Sequence, residues 1–473
     1  MLQRLPLEIP LQREEPRTGR LTLLVIATCQ LMMVLDATVV NIALPKIQIA
    51  LHFSATGLSW VFNAYTLAFG GLLLTGSRLG DLFGRRRMLI GGLVLFTTAS
   101  LLGGFAQDGV WLIVTRVAQG VGAALASPSA LALIASNFPE GNERRRALGV
   151  FSGVSAAGGS LGLILGGALT EWVSWRSVLF VNVPIGAALI LLAPRTVRES
   201  PRNPVKLDIR GALTATLGST ALVYALVRAG SNGWGNQLTI GALVVAVVVL
   251  AAFVRSQLHT ENALMPLRLL ADARRVAAFG GMLLVPATMF GMFFFIAQYL
   301  QEVSHLSAIE TGVAFLPTTT SVFIWSRIIP RLLPRIGIGR LLTMGAVLIT
   351  AAMTWLSFLN GHSSYFPSVF GPFLLLGTGV GLSFMPLTAT ILGGVDSQDV
   401  GAASGMLQVM QQLGGTLGLG VLVSIYGASR ASHSLAHSVA VSFRASIVFA
   451  LAVVGIGVFL WVRERRGRRA FPA

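Results

Sequence analysis

Charge is the scarcest property of this chain. Asp, Glu, Lys and Arg make up 11% of its 473 residues, under half the share in a soluble domain, and that excludes a water-soluble globular fold. Cysteine is almost absent: the single thiol, Cys29, lies inside an apolar run, so neither a disulfide framework nor a cysteine metal site can be built. No Gly-rich loop ending in Lys and Ser or Thr is present, which removes ATP as a direct energy source. The histidines fall in connecting segments or near the ends of apolar runs, and no cluster of His or acidic residues stands out. No connection is long enough to hold a soluble domain. An enzyme is therefore not expected, and neither a metal nor a cofactor.

What fills the chain is hydrophobic sequence, 54% of all residues, with a mean hydropathy of +0.75. Apolar stretches of about twenty residues recur, each long enough to cross a hydrocarbon core of about 30 Å. Barrel strands would instead give short alternating segments. The predicted class is an all-α polytopic membrane protein. Spans are placed near residues 21–42, 57–78, 88–106, 110–134, 147–170, 177–194, 211–229, 238–256, 276–299, 309–329, 341–360, 366–392, 402–426 and 442–462, about fourteen transmembrane helices.

The net charge of +17 does not mark a nucleic-acid partner, because the arginines are spread in short clusters between spans. "GRRR" (84–87), "NERRR" (142–146), "RTVRESPRNPVK" (195–206), "LRLLADARR" (267–275), "RLLPRIGIGR" (331–340) and "RERRGRR" (463–469) all fall on one side. That side is the cytoplasm by the bias of Lys and Arg toward inner loops. Both termini are expected there, in a multi-pass plasma-membrane protein working as a monomer. The N-terminal tail, with Glu8, Glu14 and Glu15, lacks the pattern of a cleavable signal.

One acid breaks the pattern. Asp36 sits inside "LTLLVIATCQLMMVLDATVVNIALP" (21–45), where a carboxylate costs roughly 2.5–3.5 kcal/mol on insertion scales. Two readings fit: a structural carboxylate bonded to neighbours such as Thr38 or Asn41, or a titratable group kept in a transport path. The second is favoured, since ionisable residues inside membranes more often serve pathways than packing. Arg116 is also intramembrane. An arginine stays charged and cannot carry the proton itself; it either staples spans or tunes a carboxylate. Gln119 shares its helical face.

The chain repeats itself. Aligning Gly84 in "GSRLGDLFGRRRMLIGG" (76–92) with Gly337 in "WSRIIPRLLPRIGIGRLLTMGA" (325–346) also aligns Arg87 with Arg340 and Leu89 with Leu342. Duplicated halves with a midplane site between them are a common transporter architecture. The predicted organisation is a tail (1–20), a six-helix bundle (21–194), a basic linker (195–210), two additional helices (211–256), a second linker (257–275), a second six-helix bundle (276–462) and a tail (463–473).

With "LDATVVNIALP" (35–45), "GSRLGDLFGRRR" (76–87), "LIVTRVAQGVGAA" (112–124), "GGSLGLILGG" (158–167), "WRSVLFVNVPIG" (175–186) and "LDIRGA" (207–212), the sequence resembles the major facilitator superfamily. Within it, the likeness is to the fourteen-span drug:proton antiporters of the EmrB/QacA type. It departs at Leu163, where the span-five motif usually has proline, and at Pro334, where the second half lacks a counterpart of Asp81. The resemblance implies two six-helix bundles with two extra central spans, and export of amphipathic drugs or antibiotics driven by the proton gradient. It implies proton coupling at Asp36 and Arg116, and a conformational latch at Gly80, Asp81, Gly84, Arg85 and Arg87, with Glu143 in the same charge network. Gly158, Gly162, Gly166 and Gly167 would give span five a smooth face, for plain packing or for sliding during alternation. Candidate substrate contacts are Asn41, Asn63, Tyr65, Gln119, Phe290, Phe294, Gln298, Met406, Gln408 and Met410, because aromatic and methionine surfaces suit varied apolar ligands. An importer or single-metabolite exporter on the same fold is the alternative.

Overall fold

The computed structural model describes residues 16–139, 142–200, 208–260, 267–395 and 400–470. Most of the expected N-terminal tail and parts of both linkers lie outside the described residues. The described residues form sixteen α-helices. The first seven are α1 (Pro16–Ala50), α2 (Ser59–Phe83), α3 (Arg85–Gly104), α4 (Gly109–Asn137), α5 (Asn142–Trp172), α6 (Ser177–Phe180) and α7 (Asn182–Thr196). Then come α8 (Ile209–Asn232), α9 (Gln237–His259), α10 (Ala273–Gln298), α11 (Ala308–Ala314) and α12 (Leu316–Ile336). The chain finishes with α13 (Ile338–Leu356), α14 (Gly371–Leu392), α15 (Val400–Arg430) and α16 (Leu435–Ala470).

Polar residues at the helix starts take up orphan backbone donors, as helix ends require. The Asp108 carboxylate accepts from the Trp111 amide at 2.8 Å, and Asp208 does the same for Gly211 at 2.8 Å. Ser307 and Glu310 form a capping box on α11. Asp208 also accepts from Gln257 Nε2 at 2.6 Å, which ties the start of α8 to the end of α9.

Twelve helical segments among the described residues are long and apolar enough to cross a membrane, against the fourteen expected. The two expected spans outside that number are α2 and α5. α2 has 25 residues but carries Arg78 and Asp81, and in α5 only Leu161–Trp172 forms a short apolar helix segment. Both are nonetheless packed inside the structure, α2 on α4 and α5 on α1. Glycine and polar residues, which helices packed on other helices can carry, lower the hydropathy of both.

The packing repeats between the two parts of the chain. α1 packs on α5 and α7, α2 on α4, and α3 on α4 and α7; correspondingly α10 packs on α15 and α16, α12 on α14, and α13 on α14 and α16. α8 lies against both α2 and α15, while α9 rests on α8 and exposes most of its Val, Leu and Ala side chains. Where α8 passes, glycines allow close approach. A Cβ on Gly230 would meet the Ser424 backbone at 2.7 Å.

The two parts pack along α2 and α15, where Thr416 Oγ1 donates to Thr66 Oγ1 at 2.7 Å, and they also meet where α1 and α5 reach α10 and α11. Asn41 Nδ2, near the end of α1, donates to the Phe293 carbonyl of α10 at 3.0 Å, and Gln301 Nε2 donates to the Ile42 carbonyl at 3.0 Å. Glu171, at the end of α5, accepts from the Ile309 amide of α11 at 2.9 Å. Gly167 lies against the Ala308–Ile309 backbone, and Gly312 against the Leu163 carbonyl.

Candidate functional site

Asp36 is 1% exposed, midway along α1, and every polar contact to its carboxylate is a donor from another helix. Arg116 Nη1 of α4 reaches Oδ2 at 2.6 Å in an ion pair with both side chains fully buried. Gln119 Nε2 donates to Oδ1 at 3.0 Å and Asn182 Nδ2 to the same oxygen at 2.9 Å. Arg116 also donates through Nε to the Val61 carbonyl (3.0 Å) and through Nη1 to Gln119 Oε1 (2.9 Å). Its guanidinium lies over the Tyr65 ring, 4.4 Å from the centroid. Ser100 Oγ of α3 accepts from Gln119 Nε2 at 2.7 Å.

Two helices, α4 and α7, thus supply the donors to the α1 carboxylate, with α2 and α3 behind them. Spacing on α4 explains part of this, since Arg116 and Gln119 are three apart and lie on one face. The sequence brought Asp36, Arg116, Gln119 and Tyr65 forward, although Gln119 and Tyr65 were expected as substrate contacts and are instead packed around the ion pair. Asn182 and Ser100 were missed. Asn182 did carry a signal, as a polar residue at the start of the apolar run "NVPIGAALILL", where hydrogen-bonding side chains seldom lack a partner. Thr38 bonds to its own helix at Val34 and Leu35, and Asn41 bonds to α10. Neither bonds to Asp36, whose partners come from α4 and α7.

Buried pairs of this kind are weak evidence for stability, because desolvating both ions offsets their attraction. This one also leaves atoms unmatched. Arg116 Nη2, Asn182 Oδ1 and both amide atoms of Asn63 are buried with no partner.

The loop between α2 and α3 differs from expectation in its partners. Asp81 Oδ1 takes two bonds from Arg85, at 2.6 and 3.1 Å, so the acid and the basic group expected in the latch do pair. Gly84 has φ +104°, a backbone that glycine alone adopts without strain. The acid that joins from elsewhere is Glu199, just after α7, and not Glu143, which is exposed. Glu199 Oε1 accepts from the Arg86 amide at 2.9 Å, capping α3, and Arg86 Nη1 reaches the Val197 carbonyl at 3.2 Å. Arg87 is exposed. Glu143 and Arg87 sit at the right sequence distance but on the solvent side of their helices. The second half repeats the device. Gly337 has φ +93°, and Glu464 of α16 accepts from the Ile338 amide at 3.0 Å and the Gly339 amide at 3.3 Å.

The glycines of α5 face α1. A Cβ at Gly158 would touch Leu31 and Val34 at 3.1 Å, one at Gly162 would overlap Thr38 Oγ1, and one at Gly166 would meet the Val39 backbone at 2.8 Å. Gly167 instead faces α11. A Cβ at Gly80 would lie 3.3 Å from Ser129 Oγ.

The remaining candidate contacts divide by exposure. Phe290 is half-buried and meets Phe62 of α2 edge-on at 5.1 Å. Gln408 and Met410 are also half-buried. Phe294 is buried against Phe295, Met406 is buried, and Gln298 donates back to the Phe294 carbonyl of its own helix. All three are buried in this arrangement.

A helical membrane protein with repeated packing and an ion pair sealed among five helices has the form of a polytopic transporter. The Major Facilitator Superfamily profile matches residues 26–419, and the chain belongs to that family; it is a transporter and not an enzyme. It is 41% identical over 398 residues to the MFS-type transporter EfpA of Mycobacterium tuberculosis, spanning 84% of this chain and 75% of that one. It is 40% identical to the puromycin resistance protein pur8 of Streptomyces alboniger (93% and 90%) and 37% identical to the cephamycin export protein CmcT of Amycolatopsis lactamdurans (92% and 91%). Among solved structures, a peptide transporter POT in complex with sulfate superposes with a TM-score of 0.69 at 12% identity, over 96% of both chains. A bacterial homologue of the lysosomal transporter Spinster, inward-facing and unoccupied, gives 0.62 at 16%, over 95% of this chain and 96% of that one. At such identities the likeness is one of fold alone.

Proposed function

We propose that this protein exports amphipathic compounds, antibiotics among them, in exchange for protons by alternating access. The observation that carries this reading is Asp36: a carboxylate that is 1% exposed, ion-paired, and held among α1, α4 and α7. A permanent structural role would be filled at lower cost by an apolar residue, whereas a coupled carrier needs a group that changes charge in the path. Relatives named for puromycin resistance and cephamycin export support outward movement of small molecules.

In this reading all fourteen helical passes, α2 and α5 included, cross the membrane, with both termini in the cytoplasm of a plasma-membrane monomer. Two six-helix bundles flank α8 and α9. The seal made by Asn41, Gln301 and Glu171 lies on the outer side. Substrate enters between the bundles, past half-buried Phe290, Gln408 and Met410. A proton arriving at Asp36 removes the charge that holds Arg116, loosening α1 from α4, and its departure inward restores the pair. Glu199 and Glu464 hold the inner loops of the two bundles in this state. Everted vesicles carrying the protein, given an imposed pH gradient, should accumulate radiolabelled puromycin. Accumulation equal to that of vesicles lacking the protein, across a panel including lincomycin and ethidium, would remove the export reading.

A further inference from the structure

On the second bundle, α13 and α16 pack side by side. At the end that carries the arginine clusters 331–340 and 463–469 the two helices touch. A Cβ at Gly339 would overlap the Trp461 backbone, and one at Gly457 would meet the Thr343 amide nitrogen at 2.8 Å. Further along they part, leaving a groove of about 620 Å³ between Val347, Thr350, Ala351 and Thr354 on α13 and Leu451 and Val454 on α16. The groove offers nothing to a polar ligand. Its two hydroxyls bond within their own helix, Thr350 Oγ1 to the Ala346 carbonyl and Thr354 Oγ1 to the Thr350 carbonyl, each at 2.8 Å.

Helical spacing connects this groove to a pair of cations. On α13, Arg340, Met344, Val347, Ala351 and Thr354 follow one another by three or four residues and form one stripe; on α16, Leu451, Val454, Val458, Trp461 and Arg465 do the same. Met344, Val347, Leu451 and Val458 are exposed, so both stripes face away from the bundle. Where the stripes meet, the Arg340 and Arg465 guanidiniums lie over the same Trp461 ring, 5.5 and 4.5 Å from its centroid, and both residues are exposed. The neighbouring acid, Glu464, is turned to the Ile338 and Gly339 amides. Among the described residues the ion pairs are those of Asp81, Glu199 and Asp36, so two like charges share one ring with no carboxylate paired to either.

We infer that this is a binding site for an anionic phospholipid of the cytoplasmic leaflet, with its phosphate on Arg340 and Arg465 and an acyl chain in the groove between α13 and α16. Charge and length both fit. Basic residues at the cytoplasmic ends of membrane helices attract anionic headgroups, and tryptophan is enriched at that level. From Arg340 to Thr350 the helix rises about 15 Å, half of a hydrocarbon core of about 30 Å. A chain that starts at the guanidiniums therefore reaches into the groove within its own leaflet. A soluble phosphate would satisfy the arginines and leave the groove empty; a zwitterionic lipid would fill the groove and gain less from the arginines.

The choice of leaflet rests on the proposed topology, but the lipid preference is testable without it, because a nanodisc presents both leaflets. Protein in nanodiscs would be irradiated with phosphatidylglycerol bearing a diazirine on its acyl chain, or with phosphatidylcholine bearing the same chain, and the adducts mapped. Phosphatidylglycerol should label the peptides holding 347–354 and 451–454 about 25-fold more than phosphatidylcholine at equal mole fraction. Arg340→Gln should lower that preference about fivefold and Arg340→Gln/Arg465→Gln should abolish it, while Arg146→Gln, an exposed arginine of the first bundle, should leave it unchanged. Ala351→Trp, which fills the groove, should remove labelling by either lipid. Equal labelling by the two lipids, or a preference that survives the double variant, overturns the site. A preference lost in inorganic phosphate but kept in sodium chloride of equal ionic strength makes it a soluble-anion site and overturns it too. So does a dimer in native mass spectra that Ala351→Trp dissociates, which would put a second copy in the groove. A reporter after Arg469 found outside the cell would overturn the cytoplasmic placement and the topology, and not the lipid preference.

Discussion

Replacing Arg116 by methionine keeps the bulk of the side chain and deletes its charge from a site with no exposure. Asp36 would lose the 2.6 Å bond on Oδ2 and keep Gln119 and Asn182 on Oδ1. The Val61 carbonyl and Gln119 Oε1 would each lose a donor. Breaking a buried pair from one side costs about 3–5 kcal/mol, because the remaining charge stays in low-dielectric surroundings. Loss of the stacking on Tyr65 adds about 1 kcal/mol. The two amide donors left on Oδ1 offset part of this, giving a net loss of about 3–4 kcal/mol. Asp36→Asn/Arg116→Met removes both charges and should recover most of the loss. The assay is thermal melting in detergent at a fixed scan rate, since membrane proteins seldom refold and midpoints depend on rate. The reasoning fails if Arg116→Met melts like the native protein, or if the double variant is no more stable than the single one.

Gly166→Leu should prevent α1 and α5 from closing and leave little folded protein in size-exclusion chromatography, since even a Cβ there meets the Val39 backbone at 2.8 Å; Gly159→Ala, with nothing within 4 Å, should behave as native. Glu199→Ala and Glu464→Ala each remove a cap from a helix start, and each should cost about 1 kcal/mol in melting experiments, while the exposed Arg87→Gln should cost nothing measurable. A reporter fused after Arg469 should be cytoplasmic and one inserted near Asn232 external. Finding both on one side would contradict fourteen crossings.

Much of the fold was legible because hydropathy writes each span locally. Twelve helices satisfy length and apolarity together. α2 and α5 fall short for one physical reason: helices that face other helices can carry Gly, Asn, Arg and Asp, and those residues lower the hydropathy that marks a span. The site was legible where one residue announces itself. Asp36 and Arg116 stand out as charges in apolar runs, and the structure brings them to 2.6 Å. What the sequence could not supply was which distant helix completes the set. Asn182 lies 146 residues from Asp36, and Glu199 lies 113 from Arg86, so only the packing of α7 against α1 and α3 selects them. Glu143 was expected in the charge network because it adjoins an arginine cluster, yet it is exposed on α5. Gln298 and Phe294, candidate ligand contacts by composition, are buried, and Gln298 donates to the Phe294 carbonyl of its own helix.

If Asp36 carries the proton, transport under an imposed gradient must depend on its carboxyl. Everted vesicles with matched amounts of native and Asp36→Asn protein would be given the same pH difference and radiolabelled puromycin. The account predicts uphill accumulation in the native vesicles and none in Asp36→Asn, with downhill exchange of preloaded puromycin retained in the variant. Uphill accumulation at the native level by Asp36→Asn would contradict it.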